Sequence, residues 1–135
     1  MFSVAKMLGG RINVPETLDL PVTAGQTYKV GEALVVTNGA LTKASGDVKA
    51  TYISKEEYVA PSTGARALKC FRVTPDMLFE VEITAFGATQ KVGAKVTFGT
   101  DGLTLTATAA ESGGAEIVHM NNAAKAGDKI YVVLA

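Results

Sequence analysis

A lysine-x-glycine turn that leads into a β-forming segment occurs three times in this chain and restricts the folds open to it. The three turns are Lys29-Val30-Gly31, Lys91-Val92-Gly93 and Lys125-Ala126-Gly127. Each precedes a run of apolar or alternating residues, as in a strand that begins at a tight turn. The matching stretches are too short to indicate internal duplication. They indicate one supersecondary motif, a glycine turn that leads directly into a strand, which occurs three times.

Other turns predict how strands are joined. Asn38-Gly39 lies between apolar β-formers and predicts a hairpin, because both residues tolerate positive φ. Asp101-Gly102 stands in the equivalent place later in the chain. Thr74–Met77 predicts a type I turn, with Pro75 at the position that suits its fixed φ, joining strands over 67–73 and 78–84.

Helix signals are weak throughout the sequence. Only Ser54–Tyr58 combines a good N-cap residue with acidic residues in the first turn, and Pro61 limits it to one turn. Residues 116–120 are predicted to pair with 130–134. The 135 residues suit one domain. We therefore predict an all-β chain, a small single-domain β-barrel or sandwich of about seven or eight short strands with an extended N-terminal arm.

The first sixteen residues differ from the rest of the chain. Residues 1–16 show little periodicity and form the predicted extended arm, while residues 17–135 form the predicted β-rich body. One interpretation is a disordered tail. Such tails are usually polar, however, and this one is apolar, so we expect it to order against a partner or a neighbouring subunit. The candidate interface residues, all large and apolar, are Phe2, Val4, Met7, Leu8, Ile12 and Val14.

Charge and hydropathy exclude several classes of partner. The 13 basic and 13 acidic residues balance, which argues against an electrostatic footprint for nucleic acid or an anionic membrane. Charged residues make up 19% of the chain, below the average of about 25%, so part of the surface is expected to be covered by a partner. No apolar run suits a membrane span or a signal peptide, and we expect a soluble protein made in a cytoplasm.

Catalytic and metal-binding patterns are weak. Cys70 is the only cysteine and His119 the only histidine, so a Cys–His pair is the one nucleophile arrangement available. A buried, inert cysteine is the commoner role. Glu80 and Glu82 share a strand face and suit a solvated surface better than acid–base chemistry. No nucleotide or metal-ligand spacing is present, and we expect neither enzyme activity nor a cofactor.

Several motifs follow one another in a fixed order over most of the chain. They are Ile12–Glu16, Leu18–Gly25, Tyr28–Leu34, Gly39–Lys43, Val92–Thr97, Asp101–Leu103 and Gly127–Ile130. In this order they resemble those of the small head decoration (capsid cement) proteins of tailed bacteriophages. The resemblance implies a β-rich body that binds the major capsid protein on the outside of the shell, frequently as a trimer. It implies no enzyme activity and no cofactor.

The function predicted from the sequence is accordingly stabilisation of a phage head. The protein would bridge major capsid protein subunits on the head exterior of the virion, after synthesis in the host cytoplasm, as a homo-oligomer with a trimer favoured. The alternative is a small β-sandwich ligand- or carbohydrate-binding module, which the absence of tryptophan disfavours. A third reading is a small hydrolase that uses Cys70 and His119.

Overall fold

The computed structural model describes residues 1–8, 15–85, 91–111, 114–121 and 125–134. Strands are the regular elements of these ranges, and none of the described residues forms a helix long and apolar enough to cross a membrane. The strands are β1 (Ser3–Met7), β2 (Leu18–Leu20), β3 (Thr27–Tyr28), β4 (Ala33–Thr37), β5 (Ala40–Lys43), β6 (Tyr52–Ser54), β7 (Tyr58–Val59), β8 (Leu68–Arg72), β9 (Met77–Ile83), β10 (Lys95–Phe98), β11 (Thr104–Ala109), β12 (Ala115–His119) and β13 (Lys129–Val133).

Five of these strands close into a barrel. The order is β9-β11-β10-β12-β13, and the ring closes because β13 also pairs with β9. The pairs are antiparallel except for β11 with β9, which is parallel. Alternate residues of these strands fill the interior, and a closed barrel leaves no free edge along most of its wall. The fully buried barrel residues include Phe79, Val81, Ile83, Val96, Phe98, Leu105, Ile117, Ile130 and Val132.

A second sheet, with its own apolar core, packs beside the barrel. Its order is β2-β8-β6-β4-β5, and all five strands come from residues 18–72. A parallel bridge between Val22 and Leu41 draws its two edges together. The buried Tyr28 hydroxyl holds this seam, because it donates to the Leu41 carbonyl (2.6 Å) and accepts from the Thr23 amide (2.9 Å). The prediction of a small all-β domain with a barrel is confirmed, with more strands than the seven or eight expected.

The three lysine-x-glycine segments form the same turn. In each, the lysine carbonyl accepts from the amide three residues on, at 3.2 Å (Lys29), 2.9 Å (Lys91) and 3.0 Å (Lys125). The glycines have φ of 74°, 90° and 89°, as a type II turn requires at its third residue. A strand follows each turn (β4, β10 and β13). The prediction of a glycine turn followed by a strand is therefore confirmed at all three places.

Three hairpin predictions are confirmed, one of them the pairing of residues 116–120 with 130–134 as β12 with β13, and one is wrong. Asn38 and Gly39 both have positive φ and join β4 to β5, and Asp101-Gly102 lies between the paired strands β10 and β11. Thr74–Met77 does turn, with Met77 N–H donating to the Thr74 carbonyl. The strands on either side, β8 and β9, belong to different sheets, so this turn carries the chain from one sheet to the other.

The single predicted helical turn is also wrong. Ser54 ends β6, and Tyr58 begins β7. The Ser54 hydroxyl donates to the Glu56 carbonyl and accepts from the Glu56 amide (3.4 Å). A serine side chain that bonds the backbone two residues on stabilises a local turn instead of capping a helix.

The N-terminal segment is part of the fold. β1 pairs antiparallel with the first half of β9, in the register Val4 to Phe79 and Met7 to Met77. The Phe2 amide donates to the Gly31 carbonyl (2.8 Å), which belongs to the turn before β4. Residues 1–8 are extended, as predicted, but the boundary placed at residue 16 separates β1 from the sheet that it completes.

A buried carboxyl group lies where the second sheet meets the barrel. Glu32 is fully buried; its Oε2 accepts from the Lys29 amide (2.9 Å), and its Oε1 has no partner among the described residues. Gly102, in the turn between β10 and β11, lies against it, and the Gly102 carbonyl accepts from the Ala33 amide (2.7 Å). Burial raises the pKa of the Glu32 carboxyl, although the bond from Lys29 opposes the rise.

This burial predicts how stability depends on pH. The folded protein holds the Glu32 proton more tightly than the unfolded chain, so stability is lost as pH rises from the unfolded pKa, near 4.5, through the folded pKa. Glu32→Gln cannot titrate. Its unfolding free energy in urea denaturation, relative to wild type, is expected to rise as the pH increases from about 4.5 through the folded pKa of Glu32. Glu57→Gln, at an exposed position, is the control, and a Glu32→Gln difference that is flat or falls over this interval would contradict the prediction.

Candidate interaction surface

The structure separates the two residues of the possible nucleophile pair. Cys70 lies on β8, in the core of the second sheet, and its thiol contacts the Leu18 carbonyl (3.7 Å). His119 is exposed at the end of β12, on the barrel, with its ring 5.6 Å from that of Tyr131. Burial, with a smaller contribution from Asp19, raises the pKa of the Cys70 thiol to about 11. A nucleophilic cysteine requires the opposite shift.

Cys70 is therefore expected to resist alkylation in the folded protein. At neutral pH a thiol with a pKa near 11 is about 0.01% thiolate, and thiolate is the reactive form. Reaction with a thiol reagent should be at least about a hundredfold slower in buffer than in denaturant, where the ordinary pKa of about 8.5 returns. Fast labelling of the folded protein would instead place Cys70 in an accessible, activated site.

The paired glutamates lie on the outer face of the barrel. Glu80, Tyr131 and His119 are register neighbours across β9, β13 and β12. The Tyr131 hydroxyl donates to Glu80 (3.1 Å), and Lys129 forms an ion pair with the same carboxylate (3.3 Å). These contacts agree with the surface role inferred for Glu80 and Glu82. Among the described residues, no group of three or more His, Cys, Asp or Glu side chains is arranged to hold a metal ion.

The predicted interface residues divide into three groups. Phe2 is 2% exposed, and its ring meets those of Phe79 (6.2 Å) and Phe98 (5.6 Å), so its side chain belongs to the barrel core. Val4 and Met7 are half-buried against the same core, and Leu8 is half-buried with its amide bonded to the Asp76 carbonyl. The third group, Ile12 and Val14, lies outside the described residues. Contact of this segment with a partner stays a prediction.

A cavity of about 440 Å³ lies at the junction of the barrel and the second sheet. Lys49 and Thr51, just before β6, form one side of it, and Arg72, at the end of β8, with the Val73–Pro75 turn forms another. Leu134, which follows β13, contributes from the barrel. Among the described residues, no acidic side chain lines this cavity. A smaller cavity of about 320 Å³ lies on the barrel beside Lys6 and His119.

Sequence reasoning did not find the cationic pair Lys49 and Arg72. The two residues are far apart in sequence, and neither belongs to a motif. They become neighbours of one cavity because β6 pairs antiparallel with β8, in the register Tyr52 to Arg72. The proximity of Lys49 and Arg72 to one cavity follows only from the strand order of the second sheet. The sequence instead predicts a hairpin of residues 67–73 with 78–84, which assigns β8 to β9.

Comparison with known proteins gives one informative result. No protein-family model matches the chain, and no curated protein matches it in sequence. Among solved structures, the chain is similar to the N base of the head fiber gp8.5 of bacteriophage phi29. The TM-score is 0.56, with 17% sequence identity over 89% of this chain and 95% of that one. The two chains share a fold.

The shared fold puts the sequence motifs in context. Gly31, Gly93 and Gly127 belong to the motif segments of the decoration-protein resemblance, and each occupies the positive-φ position of a turn that begins a strand. These positions favour glycine for conformational reasons. At these three positions the motifs therefore reflect a requirement of the fold.

Proposed function

We propose that this chain is a structural component of a phage head and, more narrowly, a decoration or cement protein. It would bind the outer surface of the shell and bridge major capsid protein subunits as a homo-oligomer, with a trimer favoured. The observation that carries the proposal is the fold shared with the head fiber base of phage phi29 over nearly the whole of both chains.

The ordered motifs support the narrower role. They resemble those of head decoration proteins, and they were identified from the sequence independently of the fold comparison. Binding, and not catalysis, is the proposed activity, because the Cys70 thiol is buried with a raised pKa and lies in a different sheet from His119.

The physical properties of the domain suit such a role. A packed genome strains the joints between shell subunits, and a protein that spans a joint adds buried surface that opening would expose. Many copies acting together stabilise the shell without strong individual contacts. A closed barrel with a second packed sheet supplies a rigid body for this purpose and contains no disulfide.

The test is co-sedimentation with shells of the phage that encodes the chain, assembled without it. The purified chain is expected to pellet with these shells in a saturable manner and to raise the temperature at which they rupture. Analytical ultracentrifugation of the free chain measures the oligomer. Absence of pelleting at about 10 µM chain would mean a binding free energy weaker than about −7 kcal/mol and would contradict the proposal.

A further inference from the structure

We propose that the cavity between Lys49 and Arg72 receives a carboxylate side chain of the shell protein. The inference rests on the proposed function and adds to it the part of the surface that binds and the chemistry that it recognises. In the N-terminal segment, predicted from the sequence to make this contact, Phe2, Val4 and Met7 pack against the barrel core.

Unsatisfied cationic groups are the first argument. Three other basic side chains of the described residues have acidic partners: Arg66 pairs with Glu56, Lys69 with Asp19 and Lys129 with Glu80. Within the described part of the chain, Lys49 and Arg72 have neither an ion pair nor a side-chain hydrogen bond. Asp76, the acid nearest to Arg72 in sequence, accepts from the Thr74 hydroxyl, and Asp47, the acid nearest to Lys49, accepts from the Glu111 amide. Neither is among the described residues that line the cavity.

A buried hydroxyl is the second argument. Thr51 lines the cavity, and its Oγ1 is buried without a partner among the described residues. Buried hydroxyls nearly always bond to something, so the Thr51 side chain is expected to turn its hydroxyl toward a polar group that enters the cavity. An arginine fork, an ammonium and a hydroxyl together match a carboxylate, which accepts bonds through both oxygens.

The cavity is also well supported. Ala50 and Leu134 at its base are 1% and 2% exposed and belong to the barrel core. The Thr51 carbonyl accepts from the Val73 amide (2.9 Å), which fixes the two sides of the cavity against each other. A volume of about 440 Å³ is at the lower end of the range of about 300–1,000 Å³ for ligand sites. It fits an acidic side chain and its neighbour better than a large cofactor.

Charge complementarity selects a protein partner. The two cations line a cavity that also contains the buried apolar residues Ala50 and Leu134, and an acidic residue in an apolar segment presents both features at once. A free anion would interact with Lys49 and Arg72 but would leave the apolar lining of the cavity without a partner. The shell surface around a bound copy is therefore expected to offer an aspartate or glutamate flanked by apolar residues, and binding is expected to weaken as salt rises.

The experiment compares two double variants in the shell co-sedimentation assay. Lys49→Glu/Arg72→Glu is expected to weaken shell binding at least tenfold. Lys91→Glu/Lys125→Glu carries the same change in net charge and is expected to bind within twofold of wild type. These control lysines precede β10 and β13, which both pair antiparallel with β12, so they lie at the barrel end opposite Leu134. Thermal melting of both variants verifies folding, and Arg72→Gln serves as a milder second variant.

The outcomes separate this inference from the proposed function. Wild-type chain that fails to bind shells overturns both. If the wild-type chain binds shells and neither Lys49→Glu/Arg72→Glu nor Arg72→Gln weakens that binding, the inference alone is overturned. Inorganic phosphate, titrated against the free chain by NMR, provides the remaining comparison. Saturable submillimolar shifts at residues 49–51 and 72–74 would assign the cavity to a free anion and overturn the choice of a protein carboxylate.

Discussion

Phe2→Ala is expected to lower the free energy of unfolding by about 3–5 kcal/mol, the usual cost of removing a buried phenylalanine ring. Phe2 is 2% exposed and packs against two other rings of the barrel core, Phe79 edge-on and Phe98 tilted. The variant leaves a void among these rings. Its backbone contacts also weaken, because the Phe2 amide bonds to Gly31 across the junction with the second sheet.

Urea denaturation followed by near-UV and far-UV circular dichroism measures this loss. Val59→Ala, at a position that is 65% exposed, is the control and should change stability by no more than about 0.5 kcal/mol. A Phe2→Ala variant as stable as the control would mean that the segment is a detachable arm, as the sequence alone indicates. Deletion of residues 1–8 should cost more than Phe2→Ala, since it also removes β1 from β9.

Gly102→Val is the second substitution with a large expected effect, and Gly39→Val is its matched comparison. Both glycines have positive φ, 68° and 81°, so valine strains both by about 1–2 kcal/mol. Gly39 is exposed, with nothing near the position of an added Cβ. At Gly102 the added Cβ would lie 3.0 Å from Glu32 Cγ and 3.1 Å from the Ala33 carbonyl oxygen.

This crowding is expected to add about 1–3 kcal/mol at Gly102, for a total of about 2–5 kcal/mol. Thermal and urea midpoints of the two valine variants separate strain from crowding, because both positions have positive φ and only Gly102 is crowded. Alanine also carries a Cβ, so Gly102→Ala should likewise lose more stability than Gly39→Ala. Equal losses of stability at the two positions would show that the residues around Glu32 shift to accommodate the added side chain at little cost.

Local chemistry in this sequence is predictable, whereas the assignment of strands to sheets is not. Turn residues such as Asn38-Gly39 and the three lysine-x-glycine segments act through their own φ preferences, and the structure places each as predicted. Alternation of apolar and polar residues predicts a strand but does not indicate which other strand it pairs with. β8 and β9 were therefore assigned to one hairpin, although β8 pairs with β2 and β6 in the second sheet.

The N-terminal strand was missed for a specific reason. Phe2 and Val4 face the core in alternation, but the register shifts between Val4 and Lys6, and Met7 is the next core contact. A bulge of this kind inserts one residue and reverses the phase of the pattern. Over only the six residues from Phe2 to Met7, a core-facing pattern that changes phase looks aperiodic. The sequence therefore predicts an extended arm where the structure has a strand. The cationic cavity was missed because its residues meet only through the pairing of β6 with β8.

The separation of β1 from β9 along the chain has a consequence during synthesis on the ribosome. The strands of the second sheet all lie within residues 18–72, so that sheet is complete before translation reaches the barrel strands. Met7 pairs with Met77, and at about 5–20 residues per second its partner is made roughly 4–14 s later. Through this interval Phe2 has no ring to pack against. The nascent chain therefore exposes an apolar segment for seconds, which makes that segment a natural binding site for cellular chaperones until the barrel closes.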